Sequence, residues 1–271
     1  MIRRAAMAAG SVIMDHYDPS GFHGALTFKE DQSPVTAADL AADRVISDFL
    51  GAHFPGIPVI SEEQIDQIDH DHLRATDHYW LVDPLDGTRA FARGERDFTV
   101  NIALIHHDTP ILGVIYAPAL EEGFTGINAP DQKIAIRFRD DGPDDAVTVR
   151  AIPQNGLTVL TSQTGTLSPY TLALMDQIKI NKHIKRSSSI KFADVAAGRA
   201  DLVVTTRHVS YWDSAAGDAL IRAAGGHVIR FDGTPVTYDR TCPTLDNHGI
   251  VACGDLGYFS PVLQSILERA S

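Results

Sequence analysis

Two carboxylates stand three residues apart, with a proline between them, where an apolar run ends in Trp80-Leu81-Val82-Asp83-Pro84-Leu85-Asp86-Gly87-Thr88. Magnesium takes a few carboxylate oxygens together with substrate phosphate oxygens. Free amides at a turn or a helix start suit the anion. Asp83 and Asp86, with the Asp-Gly-Thr turn behind them, therefore read as a site for hard cations and the phosphate they carry. Pro84 disfavours the helical basin for Asp83 and supplies no N–H, so the strand Tyr79–Val82 is expected to end here. Gly87 lets the backbone approach a ligand closely.

Other acids fall at element ends. Asp39 lies three residues after Thr36, at the start of an alanine-rich segment; Glu62 and Glu63 follow the short strand Ile57–Ile60; Asp213 follows Trp212 at the head of a helix. Each has a plain structural reading. Asp39 could complete the cap begun by Thr36, Asp213 could be an N-cap, Glu62 and Glu63 solvated loop charge, and Asp83 and Asp86 turn formers. Their joint order in one chain is what raises the chemical reading.

The elements that must carry these acids follow from periodicity. Ile2, Ala5, Ala6, Ala9, Ile13 and Tyr17 recur at helical spacing, and charge returns at Asp15, so the N-terminus reads as an amphipathic first helix rather than a signal peptide. Asp18 to Gly24 reads as a turn region and Lys29 to Pro34 as polar loop. A second helix runs from the Thr36 cap to about Ala52, with Ala38, Ala42, Val45 and Phe49 as its apolar positions. Asp66 to Asp77, rich in Asp and His, reads as exposed loop or short helix, and His70, His72 and His78 show no metal spacing. Phe98–Ile105 and Leu112–Tyr116 predict a hairpin around Asp108-Thr109-Pro110. Strand-like pieces continue to about Arg150. From Leu157 the texture alternates. Strands are expected at 157–162, 183–186, 201–205, 228–231 and 250–253; helices at 169–180 and 190–197, from Trp212-Asp213 to Gly225-Gly226, and at 260–269. An α+β half followed by an α/β half results, with a soft boundary that gives 1–150 the metal acids and 151–271 the completion of the substrate site. Asp232-Gly233-Thr234 repeats the central tripeptide without the upstream acid and proline, and reads as a plain turn.

The 271 residues, 44% hydrophobic and 21% charged, are an ordinary globular balance. The net charge of −12 argues against a nucleic-acid polymer, which calls for a basic face, but not against small phosphorylated ligands if bound cations supply local positive charge. Two cysteines, Cys242 and Cys253, make no disulfide framework. No run reaches the ~18 apolar residues of a membrane span, and a reduced cytoplasmic setting is the default.

The pieces Pro34-Val35-Thr36-Ala37-Ala38-Asp39, Ser61-Glu62-Glu63, Asp83-Pro84-Leu85-Asp86-Gly87-Thr88 and Trp212-Asp213-Ser214-Ala215-Ala216-Gly217, in this order, resemble the lithium-sensitive, magnesium-dependent phosphatases of the inositol monophosphatase superfamily. Ser33 to Asp39, Phe98 to Ile105 and Ser187-Ser188-Ser189-Ile190-Lys191-Phe192 are most similar to its bacterial 3'(2'),5'-bisphosphate nucleotidase branch. The resemblance implies a layered αβαβα sandwich and two to three magnesium ions, and allows a homodimer. By that likeness Glu62, Asp83 and the Leu85 carbonyl would hold the first ion, and Asp83, Asp86 and Asp213 the second, with Glu62 helping a third. Asp39 and Thr88 would orient and deprotonate a metal-bound water, and the amides of Gly87 and Thr88 would hold phosphate oxygens. Ser188 and Lys191 would hold the remote phosphate of a nucleotide; capping and solvation are the plain alternatives. Two stretches depart from the branch: Ser162-Gln163-Thr164-Gly165 stands where Ser-x-Ser-His is usual, and Val204-Thr205-Thr206-Arg207-His208-Val209 where Pro-Arg-Phe-Gly-Pro-Thr is usual. Arg207 or His208 could stand in for the basic group of that usual motif. The implied activity is hydrolysis of 3'-phosphoadenosine 5'-phosphate to AMP and phosphate. Inositol or sugar phosphates, and a non-catalytic phospholigand-binding regulator, remain as alternatives.

Overall fold

The computed structural model describes residues 1–21, 27–28, 34–67, 70–140 and 142–270. In chain order the first half runs α1 (Ile2–Asp15), β1 (Thr27–Phe28), β2 (Pro34–Val35), α2 (Ala37–His53), β3 (Val59–Ser61), α3 (His70–Ala75), β4 (His78–Asp86), α4 (Thr88–Ala92), β5 (Thr99–His106), β6 (Thr109–Ala117), β7 (Glu122–Ala129), β8 (Gln132–Phe138) and β9 (Asp145–Ala146). The second runs β10 (Leu157–Ser162), α5 (Pro169–Asp176), β11 (Ile180–Arg186), α6 (Ile190–Ala196), β12 (Leu202–Ser210), α7 (Tyr211–Ala223), β13 (His227–Ile229), β14 (Asp246–Cys253) and α8 (Leu256–Ala270). Residues 29–33 of the predicted loop from Lys29 to Pro34, and 22–24 of the predicted turn from Asp18 to Gly24, lie outside the described residues, while Pro34 opens β2 rather than closing a loop.

Two larger sheets organise these elements. A seven-stranded sheet follows the order β3-β4-β5-β6-β7-β8-β9, and a five-stranded sheet the order β11-β10-β12-β14-β13. Helices α1 and α2 cover one face of the larger sheet, α6 and α7 pack between the sheets, and α5 and α8 cover the outer face of the smaller. Each gap holds its own apolar cluster. The first helix seals its layer with Ile2, Ala5, Ala6, Ala9 and Ile13, all buried as the spacing predicts. The expected layered αβαβα sandwich is thus formed. Gly126 on β7 makes one layer contact possible: a Cβ there would sit 2.3 Å from the Leu220 Cα of α7. Any larger residue would lift α7, and with it Asp213, away from the sheet.

The structure moves several boundaries: β3 is Val59–Ser61 rather than 57–60, β14 opens at Asp246 rather than at 250 and α8 at Leu256 rather than at 260, and three further shifts have a clear physical reason. Pro84 does not end its strand: β4 continues to Asp86 through a bulge, with Asp83 opposite Asn101 and Asp86 opposite Thr99. A bulge is one of the few places where a paired strand tolerates proline. Helix α5 stops at Asp176, because Ile180, expected in that helix, instead opens β11 beside Leu157. Strand β12 runs to Ser210, well past Thr205, because β14 pairs with its polar end through another bulge. The hairpin forms, but its two-residue turn is His107-Asp108, both at positive φ, rather than Asp108-Thr109-Pro110: Thr109 and Pro110 already pair with His106 and Ile105 in β6.

Candidate active site

The site forms where β3 ends beside the bulge of β4. These strands run parallel with Ser61 opposite Val82, so Glu62, just past the end of β3, stands level with Asp83, which stays paired with Asn101 in β4. Ser61 Oγ donates to Asp43 on α2, and Gln64 Nε2 donates to the same carboxylate at 2.5 Å. These bonds tie the turn that carries Glu62 to the second helix. Asp83 is 1% exposed, and its Oδ1 accepts from the Leu85 amide at 3.0 Å, folding the bulge back on itself. Gly87 then adopts φ +93°, a conformation glycine holds without strain, and starts α4. A Cβ at Gly87 would meet the Asp97 carbonyl oxygen at 3.0 Å.

Helix α7, lying over the larger sheet, delivers Asp213 from its first turn. Carboxylate oxygens of Glu62, Asp83 and Asp213 all lie within 4.8 Å of one another. Burial pushes Asp83 well above the usual carboxylate range, and Glu62, Asp86, Asp213 and Asp39 push it further. Burial and then Asp86 and Glu62 raise Asp213 in the same way, against a hydrogen bond with Asp83 and the attraction of Lys191. Acids sequestered this closely, with oxygen donors only, fit a hard divalent cation.

Asp39 completes the cap and also reaches Thr88. Its Oδ2 accepts from the Thr36 amide at 2.7 Å and from Thr36 Oγ1 at 2.5 Å, closing a capping box. Its Oδ1 accepts from Thr88 Oγ1 at 3.2 Å, and the same hydroxyl lies 3.1 Å from the Leu85 carbonyl. Burial raises the Asp39 carboxyl, against hydrogen bonds from Thr36 and Thr88.

A cavity of about 470 Å³ opens above these acids. Glu62, Asp83, Leu85, Asp86, Gly87, Thr88 and Asp213 line it, and Ser188 and Lys191 form part of its wall. Lys191 Nζ donates to the Ser188 carbonyl at 2.5 Å; burial lowers its ammonium pKa, while Asp86, Asp213 and Asp97 pull it upward. The two departing stretches also reach the cavity, through Ser162, Gln163, Thr164, Thr205, His208 and Val209. The Arg207 side chain lies outside the described residues, as does that of His70. Of the other histidines singled out, exposed His72 sits on α3, and His78 stacks on His106 with ring centroids 4.3 Å apart. Asp232-Gly233-Thr234 is a plain turn in which Asp232 Oδ1 accepts from the Thr234 amide at 2.9 Å.

The inositol monophosphatase family profile matches residues 1–254. The Escherichia coli (strain K12) protein named 3'(2'),5'-bisphosphate nucleotidase CysQ is 38% identical over 239 residues, covering 86% of this chain and 90% of that one. The crystal structure of CysQ from Bacteroides thetaiotaomicron superposes with a TM-score of 0.75 at 31% identity, covering 93% of this chain and 95% of that one. The Thermotoga maritima IMPase gives a TM-score of 0.76 at 24% identity over 99% and 97% of the two chains, a likeness of fold. The chain belongs to the inositol monophosphatase family. It is a phosphatase of that family.

Sequence reasoning missed Ser189 and the role of Asn101. Ser189 Oγ lies 2.7 Å from Asp86 Oδ2 and 2.5 Å from the Asp213 carbonyl, and donates to one at a time. Asn101 Nδ2 reaches Ser189 Oγ at 3.0 Å and Asp86 Oδ2 at 3.3 Å. Three consecutive serines give no sign of which one faces inward, and Asn101 hides within a strand. Asp83 pairs across the sheet with Asn101, so pairing β4 with β5 would have pointed to it. Ser189→Ala is expected to raise the magnesium concentration for half-maximal activity about 10-fold or more, as losing a hydrogen bond to a metal-binding carboxylate typically does. A magnesium titration of phosphate release checks this, and an unchanged midpoint would show that Asp86 orients without help.

Proposed function

We propose that this phosphatase is a magnesium-dependent 3'(2'),5'-bisphosphate nucleotidase, hydrolysing 3'-phosphoadenosine 5'-phosphate to AMP and phosphate. The observation that carries the reading is the convergence of Glu62, Asp83 and Asp213 beside a bonded Thr88–Asp39 pair, with Lys191 on the wall of the same cavity. Glu62, Asp83, Asp86, Asp213 and the Leu85 carbonyl are the groups that would hold two to three ions. When bound, magnesium supplies Lewis acidity toward phosphate oxygens and lowers the pKa of water.

The remaining chemistry belongs to the chain. Thr88 Oγ1 takes a proton from the attacking water and passes its own to Asp39 Oδ1. A carboxylate whose basicity burial has raised suits that task better than an exposed one. Water oxygen bonds to phosphorus, the P–O bond to the ribose breaks with its electron pair going to the ribose oxygen, and that oxygen leaves as a hydroxyl with a proton from solvent water, Asp39 returning its own proton to solvent. The amides of Gly87 and Thr88, at the open start of α4, hold phosphate oxygens as the charge redistributes. Lys191, with Ser188 beside it, meets the second phosphate. Unpaired thiols at Cys242 and Cys253 support a cytoplasmic setting, and none of the described helices is long and apolar enough to cross a membrane.

A second reading, an inositol or sugar phosphate as substrate, is favoured by the uncharged polar wall of Ser162, Gln163 and Thr164. Phosphate release with magnesium from the bisphosphate nucleotide, inositol 1-phosphate and fructose 1,6-bisphosphate separates the readings. The nucleotide is expected to give the highest kcat/KM. Preference for either competitor overturns the substrate, and release from none favours a phospholigand-binding regulator. Lys191→Ala is expected to raise KM for the bisphosphate about 10-fold, roughly 1.4 kcal/mol, with little change on a nucleoside monophosphate. Equal losses on both would make Lys191 structural.

A further inference from the structure

A second group of ligands stands on the smaller sheet, apart from the acid cluster. His208 on β12 and His248 on β14 face each other across antiparallel strands, and Ser210 pairs with Asp246 one step further along the face. We propose that His208, Asp246 and His248 form a binding site for a transition-metal dication of the zinc type at the edge of the catalytic cavity.

The bulge in β12 is what creates this arrangement. Between the pairs Thr205–Ile250 and His208–His248, β12 advances three residues while β14 advances two. In an uninterrupted ladder position 207 would stand opposite His248. The extra residue re-phases the strand and brings a histidine there instead. Bulges commonly re-aim side chains next to active sites.

The three side chains are already gathered. One ligand atom from each lies within 4.8 Å of the others. His208 Nδ1 is 2.6 Å from Asp246 Oδ2, and the two imidazole rings meet edge to face with centroids 3.7 Å apart. Imidazoles this close repel if both are protonated, whereas two neutral rings can share one cation. Thr244 Oγ1 donates to Asp246 Oδ1 at 2.7 Å, which turns the other oxygen toward His208. Such a bond to the far oxygen is the usual support for a ligating carboxylate.

The donor set separates this site from the first. Two imidazoles and one carboxylate suit zinc, nickel or copper, whereas the all-oxygen acid cluster suits magnesium. The His208 side chain is 65% exposed and that of Asp246 14%, leaving an outward position for water or a ligand oxygen. Because His208 also lines the catalytic cavity, an ion held here would bring positive charge to its wall.

Zinc binding to the whole protein in millimolar magnesium tests the site, since magnesium competes for the acid cluster but poorly for imidazoles. One equivalent of zinc is expected to bind with micromolar or tighter affinity, and His248→Ala and Asp246→Asn should each weaken it at least about 10-fold. His248 is exposed and outside the hydrolytic machinery, so its alanine variant should keep the melting temperature and zinc-free activity of the wild type. Cobalt substitution gives a second readout: visible absorption typical of four-coordinate cobalt, lost in His248→Ala. No zinc uptake above background in magnesium-saturated protein would overturn the proposal. Uptake that persists unchanged in the His208→Ala/His248→Ala double variant would overturn it too, by placing the ion elsewhere.

Discussion

Asp83→Asn is expected to lower phosphate release at least about 1,000-fold, roughly 4 kcal/mol of transition-state stabilisation, while leaving the metal-free protein as stable as the wild type or more so. The two halves of this expectation have one cause. Asp83 is 1% exposed and its oxygens lie among those of Glu62 and Asp213, so its charge is unfavourable in the absence of a cation. Burial, and then the neighbouring acids, raise its pKa well above normal. Asparagine keeps the shape and can keep the 3.0 Å acceptor for the Leu85 amide. It removes the charge that the proposed ions share. Function and stability should therefore move in opposite directions. Phosphate release measured beside a melting scan without magnesium reads both. Activity within about 10-fold of wild type would rule out a shared role for Asp83. A large fall in melting temperature would mean that the carboxylate is held for structural reasons.

Much of this site was legible in the sequence because its acids sit at element ends, where local signals are strongest. Thr36 and Asp39 form a capping box by spacing alone, and the box fixes where Asp39 points. The Asp-Pro-Leu-Asp-Gly-Thr run carries its own turn chemistry. Bulges and cross-strand partners were not legible. A period-two pattern marks a strand but not the residue at which its register slips, so Pro84 read as a stop rather than as part of a bulge. The polar end of β12 escaped for the same reason: Thr205 to Ser210 lacks an apolar alternation, and its pairing comes from β14, far along the chain. Ser189 and His208 gain their meaning only from neighbours that folding supplies. Asp213 could have been a simple N-cap, but the helix starts at Tyr211 with Ser210 as its cap residue, so the acid is free of that duty.

Magnesium should raise the melting temperature at neutral pH, and the rise should shrink as the pH falls. Below the ordinary carboxylate range, near pH 3.9 in an unfolded chain, Asp83 and Asp213 are neutral in both folded and unfolded protein. Burial, first, and then mutual repulsion raise both groups in the folded state. The folded protein therefore holds these protons more tightly than the unfolded chain. The stability this confers is complete below the unfolded value and is lost as the pH rises through the raised folded values. From mildly acidic to neutral pH the metal-free protein should thus lose the contribution of this cluster. Magnesium needs the deprotonated acids, so its affinity changes in the opposite sense. At a concentration about 100-fold above its dissociation constant it should contribute about 2.7 kcal/mol, or about 5 to 10 °C for a chain of this size. Melting scans with and without millimolar magnesium, at about pH 5 and about pH 8, give the comparison, with Asp83→Asn as the control in which the pH dependence flattens. An equal shift at both pH values would mean that magnesium binds groups other than these acids. No shift at the higher pH would leave the cluster without the cation its charge demands.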